Sequence, residues 1–473
     1  MKVCTILAED GLRSFETPPR LTRRLLATSV VATFAGGFHF GFLISAVNPL
    51  AHILQQFIVE NMRIRYSVEL SPSKLSLISS CLAGCLFVGA MFGSYLSVHL
   101  LPSLGPRRTL LLASVILLCS TPLFGLAYAL SLPELLPISR VLSGLGFAVG
   151  ISAQAVYITE ISPTKYRGVT NSLSGLVGNT GFFLAASLGT PYLLGTDSLW
   201  QYIFFLEIIP CVVHIIVNIV YFHESPKYLL STGKSVEAEA SLKTFYGAEC
   251  HVKRILEDLR SNDQGVEEKS LREILKDKSC VQALSLSVAV NFSVAFSGVV
   301  AFSFFGTFLL QTIGFTAEGS SAANAVCKDL VTIGRRLLLI SSLLILAIIN
   351  ILMMCLVFLY NFTKDPLLAW PFLALFVLFT FVFSIGIGPA AVFIGAELAP
   401  PGTISKMQSY STAVQFIGSF ICPVLYMSLI ESISGFAFLL FIVPLTITAA
   451  YFYMFLPETK GKTSAQINEL LRK

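Results

Sequence analysis

Uncharged or nearly uncharged runs recur along this chain at about residues 25–50, 76–98, 109–130, 134–157, 170–194 and 200–222. They return at 281–314, 337–360, 366–396, 407–430 and 434–456. A helix needs about 20 apolar residues to cross a bilayer, and lipid admits only helices or closed barrels, whose backbones satisfy their own hydrogen bonds. The 473 residues are 55% hydrophobic and only 12% charged, where a soluble domain carries about a quarter charged residues. A soluble globule is excluded. The expected fold is all-α and polytopic, with about 12 transmembrane helices in two six-helix halves, counting a doubtful eighth piece at 316–333.

Residues 223–280 break the pattern with 10 Lys or Arg and 11 Asp or Glu in 58 positions. They read as a solvated linker with short helices around SVEAEASLKTF and EEKSLREILKD. The chain then divides into a tail at 1–24, a six-helix bundle at 25–222, the linker at 223–280, a second bundle at 281–456 and a tail at 457–473.

Lys and Arg are retained on the cytoplasmic side of a membrane. Placing both termini, the linker and alternate loops there accommodates 26 of the 32 basic residues; Arg63, Arg65, Lys74, Arg140, Lys328 and Lys364 are the exceptions. Both termini are expected in the cytoplasm, at the plasma membrane, and the sequon Asn361-Phe362-Thr363 outside. The start, MKVCTILAEDGLRSFE, is acidic and lacks the apolar core of a signal peptide, so the first run is expected to be retained. Ten cysteines, scattered mostly through apolar runs, form neither a disulfide framework nor a zinc cluster. The formal charge of +5 is split among short loops and makes no stripe for nucleic acid.

Three signatures repeat in the same order. Gly105-Pro106-Arg107-Arg108 returns as Gly334-Arg335-Arg336, Glu160 of YITEISP as Glu397 of IGAELAP, and Glu224 of HESPKYL as Glu458 of LPETKG, at offsets of 228, 237 and 234 residues. A duplicated bundle produces such a series.

Together with Arg140 and Gly144, YITEISPTKYRG at 157–168, HESPKYLL at 223–230, LPETKG at 456–461 and GFHFGFLISAVN at 37–48, these motifs resemble the sugar-porter branch of the major facilitator superfamily. They are most similar to the facilitative glucose transporters, over about residues 25–462. The resemblance implies a major facilitator fold that moves a sugar or sugar-like small solute by alternating access through the lipid bilayer. No cofactor is expected. It also implies that Arg107, Arg108, Glu160, Arg167, Arg335, Arg336 and Glu397 form gating ion pairs between helix ends of opposite halves. Partly wet pairs hold under about 1 kcal/mol each, which suits a gate that opens and closes. Simple topology anchoring is the bland reading of the same arginines. Where the family has an arginine after the second glutamate, Ile404 stands here and only Lys406 follows.

The pocket departs further. Aligned on Ser297-Gly298, the family's two glutamines and asparagine become Val294, Ala295 and Val300; its fifth-helix glutamine becomes Gly175, and its tenth-helix glutamate and tryptophan become Ser384 and Val392. One amide remains, Gln415, with Phe416 in place of tryptophan. A replacement site would draw on Gln415, Phe416, Asn179, Asn291, Ser293 and Ser297, although polar groups in membrane bundles often only join helices. Each unpaired hydroxyl of a buried sugar costs about 1–3 kcal/mol, so this site suits a less hydroxylated solute. Glu207, His39 and His214 are ionisable groups within apolar runs and therefore functional candidates. Proton-coupled relatives carry an aspartate where Leu43 stands, which favours downhill uniport.

The eighth segment retains TAEGSSAANAVCKDLVTI with Glu318, Lys328 and Asp329. It is a truncated helix, a misassembled sequence, or the sign that 281–315 crosses twice; the last is disfavoured because Gly298 sits in a motif of a continuous helix. A transport-inactive relative acting as a sensor or binding partner is the alternative function. An enzyme is not expected, since no nucleophile–base pair, metal spacing or phosphate-cradling loop appears.

Overall fold

The computed structural model describes residues 21–163, 166–247, 252, 255–257, 271–304, 335–388, 391, 394, 398–400, 403–457 and 470. Among these residues the fold is all-α. In chain order the first half contains α1 (Arg23–Thr33), α2 (Gly37–Tyr66), α3 (Pro72–Leu104), α4 (Pro106–Ala129), α5 (Leu135–Ile161), α6 (Arg167–Leu188), α7 (Trp200–Phe205) and α8 (Ile208–Tyr221). The linker follows with α9 (Pro226–Ser231), α10 (Ser235–Tyr246) and α11 (Leu271–Lys276). The second half has α12 (Lys278–Ala295), α13 (Arg335–Thr363), α14 (Ala369–Ile385), α15 (Ile404–Ile433) and α16 (Leu439–Phe455).

Eight stretches among the described residues are long and apolar enough to cross a membrane. Three of them hold successive labelled helices: Arg23–Tyr66 joins α1 to α2, Trp200–Tyr221 joins α7 to α8, and Lys406–Phe455 joins α15 to α16. The 30 residues of α2 span about 45 Å at 1.5 Å per residue, so α2 overshoots a hydrocarbon core of about 30 Å. Segment 316–333 lies outside the described residues.

Local chemistry sets the starts. Proline occupies the first turn of α3, α4 and α9, where its missing N–H costs nothing. Thr22 caps α1 by accepting from Leu25 N at 3.1 Å, and its hydroxyl also donates to Phe245 O at 3.0 Å. The linker helix α10 is thereby tied to the start of the first crossing. Gly105 alone separates α3 from α4 at φ +82°, and a Cβ there would lie 2.6 Å from the Tyr228 ring. Only glycine turns the chain in that space.

The two largest clusters of buried apolar residues divide between the halves. In the first half Phe42, Leu86, Phe124 and Trp200 are buried together; in the second, Leu286, Leu343, Phe372 and Phe441. Backbone contact between α3 and α5 is close enough that a Cβ on Gly144 would lie 1.9 Å from Leu86 O, and one on Gly89 equally near Val141 O. The first core also takes in Val300, Phe304, Phe416 and Met427 from the second half, so the halves meet there.

Besides the run at 366–396, which turns at Gly386 after α14, three runs that read as continuous in the sequence are broken. The first turns at Phe34–Gly36 between α1 and α2, and the sixth turns at Leu206–Glu207 between α7 and α8. The helix expected to run through Gly298 is also interrupted: α12 ends at Ala295, Gly298 adopts φ +101°, and helix resumes over 299–304. Left-handed backbone at Gly298 ends the i to i−4 ladder, which periodicity of apolar residues does not reveal.

Candidate functional site

At the end of the bundle where α3 meets α4, the first-half motifs assemble around two carboxylates. Glu224 Oε1 accepts from Arg107 N at 2.9 Å and from Ser225 N at 3.1 Å. The Glu160 carboxylate accepts from the Ser225 hydroxyl, which also caps α9 by accepting from Tyr228 N at 3.3 Å. Arg167 Nε donates to Thr159 O at 3.1 Å and to Ser162 O at 3.4 Å, tying the start of α6 to the end of α5. Arg108 is exposed and acts on Glu224 through its charge. Burial pushes the Glu224 carboxyl up, against the opposing pull of Arg107 and the two backbone amides. Burial, with Arg24 and Arg107 nearby, holds the His223 imidazole below its ordinary range; Arg24 Nη2 donates to its Nε2 at 3.2 Å.

The two halves share one device. Arg107 Nη2 donates to Asn218 O at 2.8 Å and Ile219 O at 3.2 Å, at the end of α8. Arg336 Nη2 donates to Tyr453 O at 2.7 Å, near the end of α16. A guanidinium from the repeated Gly-Arg-Arg loop therefore satisfies terminal carbonyls of the last helix in each half. The implied ion pairs joined opposite halves, whereas these bonds of Arg107, Arg167 and Arg336 each stay within one half. Glu397 and the Arg335 side chain lie outside the described residues.

The residues proposed for a solute site lie on α6, α12 and α15 and in the break after α12. Gln415 is half-buried on α15 and Asn179 is exposed on α6. On α12, Asn291 Nδ2 donates to Ser287 O at 2.9 Å while its buried Oδ1 has no partner. The Ser293 hydroxyl donates to Ala289 O at 2.8 Å within α12, while that of Ser297, in the break after α12, donates to Val294 O at 2.8 Å and accepts from Val299 N at 3.2 Å, so both serve the local backbone. Phe416 is buried and central. Its ring stacks on Phe87 of α3 at 6.1 Å and meets Phe147 of α5 edge-on at 6.1 Å, while Phe87 also meets Phe304 at 5.9 Å.

Sequence reasoning missed Phe87, Phe147 and Phe304, because a phenylalanine in an apolar run carries no mark of which neighbour it meets. It also missed Asn350, whose Nδ2 donates to Ser297 O at 3.4 Å across the α12 break. The signal there was an amide at the middle of the very apolar α13. Arg140 is buried on α5, with Nη1 donating to Leu43 O at 2.8 Å and Nη2 to Ala83 O at 3.4 Å. Leu43 thus contributes its backbone carbonyl to a buried guanidinium.

The family model described as "Sugar (and other) transporter" matches residues 28–471. Human solute carrier family 2, facilitated glucose transporter member 4, is 28% identical over 98% of this chain and 92% of its own length. Facilitated glucose transporter protein 1 of Caenorhabditis elegans is 25% identical over 95% and 91%. Among solved structures, the proton:xylose symporter XylE of the major facilitator superfamily superposes with a TM-score of 0.75 at 18% identity, covering 96% of this chain and all of that one. An inward-open form of XylE from E. coli gives 0.73 at 20% identity over 94% and 99%. The fold is that of the major facilitator superfamily.

Proposed function

The chain belongs to the sugar (and other) transporter family, and from that premise we propose that it carries a small, sparsely hydroxylated sugar-like solute downhill by alternating access, with its termini and linker in the cytoplasm. The carrying observation is the ring cluster of Phe87, Phe147, Phe304 and Phe416, drawn from both halves and closed across their interface. Each ring pair is worth about 0.5–1.5 kcal/mol, so the junction holds a few kcal/mol. A carrier exchanging between two conformations needs contacts of that order, firm enough to exclude water and weak enough to part.

The solute class follows from the lining. Phenylalanine offers a face to C–H surface and nothing to a hydroxyl, and Gln415 beside Phe416 supplies one adaptable amide. Downhill movement is supported by Leu43, an aliphatic side chain at the one position where the resemblance places the acid of proton-coupled sugar porters.

Proteoliposomes holding the purified protein, offered a labelled panel from hexoses to deoxy and alkyl sugars, test the reading. Uptake is expected to level off at equal internal and external concentrations and to favour the less hydroxylated members. Accumulation that collapses with a protonophore refutes uniport. Saturable binding without uptake or counterflow of any member would instead mark a sensor or binding partner.

A further inference from the structure

Glu207 and His39 are ionisable groups in apolar runs, and the solute route uses neither. His39 Nδ1 lies 3.2 Å from Glu207 Oε1, and both residues are sealed from solvent. The other ring nitrogen, Nε2, lies 3.3 Å from Cys211 Sγ. Glutamate and thiol thus sit on opposite edges of one imidazole, an arrangement that cannot converge on a metal ion but does hold an exchangeable proton. The second carboxylate oxygen, Oε2, is buried without a partner.

The pair bridges two broken helices. His39 is three residues beyond Gly36, in the first turn of α2 after the Phe34–Gly36 turn, and Glu207 lies within the Leu206–Glu207 turn between α7 and α8. Discontinuities in membrane helices are where bending is absorbed. A carboxylate and an imidazole drawn apart by such bending differ in proton affinity from the same two groups in contact. By linkage, the conformational equilibrium then depends on pH, whichever state binds the proton better.

A polar stripe leads to this pair. Glu207, Cys211, His214 and Asn218 recur at intervals of four, three and four residues, so they share one face from the break through α8, and all four are buried. Ser114 Oγ of α4 is 2.7 Å from His214 Nδ1, Asn218 Nδ2 is 3.5 Å from His214 Nε2, and the same Nδ2 donates to Arg107 O at 3.3 Å. The stripe ends at the loop that basic-residue bias assigns to the cytoplasm. It runs inside the first bundle, whereas the ring cluster lies between the halves.

The groups around the pair are few. Arg140 of α5 acts on Glu207 through its charge, Cys85 of α3 acts in turn on Arg140, and His214 faces His39 from α8. The remaining neighbours, α1 and α6, carry charge only at their first residues, Arg23, Arg24 and Arg167. We propose that His39 and Glu207 form a proton-binding site, reached along the α8 stripe from the Arg107 side, that sets the carrier's conformational equilibrium by pH without exporting a proton with each solute.

For its rate readout this inference rests on the transporter reading. In proteoliposomes of defined orientation, the solute flux is measured while pH is varied from 5.5 to 8.0 on one face at a time. The wild-type rate is expected to change several-fold with pH on the Arg107 face, and that of His39→Asn, which keeps a donor near Nδ1 and loses the titrating ring, to change less than about twofold. A flat wild-type profile, an unaltered profile in His39→Asn, or a response confined to the opposite face overturns the proposal. Should no solute move at any pH, thermal unfolding of the detergent-purified proteins decides independently of transport. The gap in midpoint between wild type and His39→Asn is expected to change with pH, and a constant gap overturns the proton site while leaving the transport question separate.

Discussion

Replacing Phe416 by leucine keeps most of the buried volume and removes the ring that joins the halves. Phe416 has two ring partners, Phe87 and Phe147, each pair being worth about 0.5–1.5 kcal/mol, so the closed junction should weaken by roughly 1–3 kcal/mol. At about 1.4 kcal/mol per factor of ten, the open population rises some 5- to 150-fold. Cys85 provides a native reporter: it is half-buried on α3, next to Gly84, whose Cβ position abuts the Phe420 ring of α15. With the other cysteines replaced, its rate of modification by a small thiol reagent tracks the fraction of time the junction is open. Phe87→Leu should act similarly through its contacts with Phe304 and Phe416. Because the two rings touch, the double variant should fall short of the sum by about 0.5–1.5 kcal/mol, the coupling of one ring pair. Strictly additive effects on the labelling rate would show that the rings do not hold the halves together, and the gate assigned to them would fall.

Glu160→Gln, which weakens the bond from Ser225, is expected to lower the maximal transport rate at matched surface expression while solute affinity stays within several-fold; an unchanged rate leaves only an anchoring role. Gly144→Ala places a methyl group against Leu86 O and should destabilise by more than about 2 kcal/mol, seen as loss of the monodisperse peak in detergent chromatography. Because His223 is held below its ordinary range in the folded chain, the unfolded chain binds more protons, so its share of stability is intact above about pH 6.5 and is lost as pH falls. His223→Gln should flatten that part of the acid-side decline in thermal midpoint, and an identical decline would contradict the assignment. A cysteine at Ser235, at the start of α10, should react with an impermeant reagent only after permeabilisation; labelling of intact cells reverses the orientation.

The spans were legible because charge is costly in hydrocarbon, and exclusion of charged residues over about 20 positions leaves a mark that needs no knowledge of neighbours. Helix ends were less legible. Residues such as Arg63 and Arg65 lie outside the apolar run yet remain in α2, which continues to Tyr66, since a helix leaving the bilayer keeps its own hydrogen bonds. The breaks at Phe34–Gly36 and Leu206–Glu207 carry only weak marks, the Gly36-Gly37 pair at the first and, at the second, Pro210, which cannot donate to Leu206 O four residues back; a window of uniform hydropathy passes over both. The site was legible only residue by residue: Gln415 stood out as an amide and Phe416 by its alignment, but the partners Phe87 and Phe304 are separated from Phe416 by long stretches of sequence. For the same reason His39 and Glu207, 168 positions apart, read in the sequence as two separate ionisable candidates with nothing to pair them.

The arginine repeat carries the argument about the halves one step further. Two loops related by duplication deliver Arg107 and Arg336 to carbonyls at the ends of α8 and α16, and neither bond requires the opposite half to be in any particular place. A contact that is present in both conformations adds nothing to the difference between them. It keeps each bundle rigid instead, so that bending is concentrated where the structure supplies discontinuities: Gly298 beside the Asn350 bond, and the two turns bridged by His39 and Glu207. In this division of labour the basic loops preserve the bodies that move, the ring cluster sets how readily they part, and the broken helices carry the strain. Mutations at Arg107 and Arg336 should therefore lower bundle stability in detergent, whereas mutations in the ring cluster should alter exchange between conformations with a smaller effect on that stability.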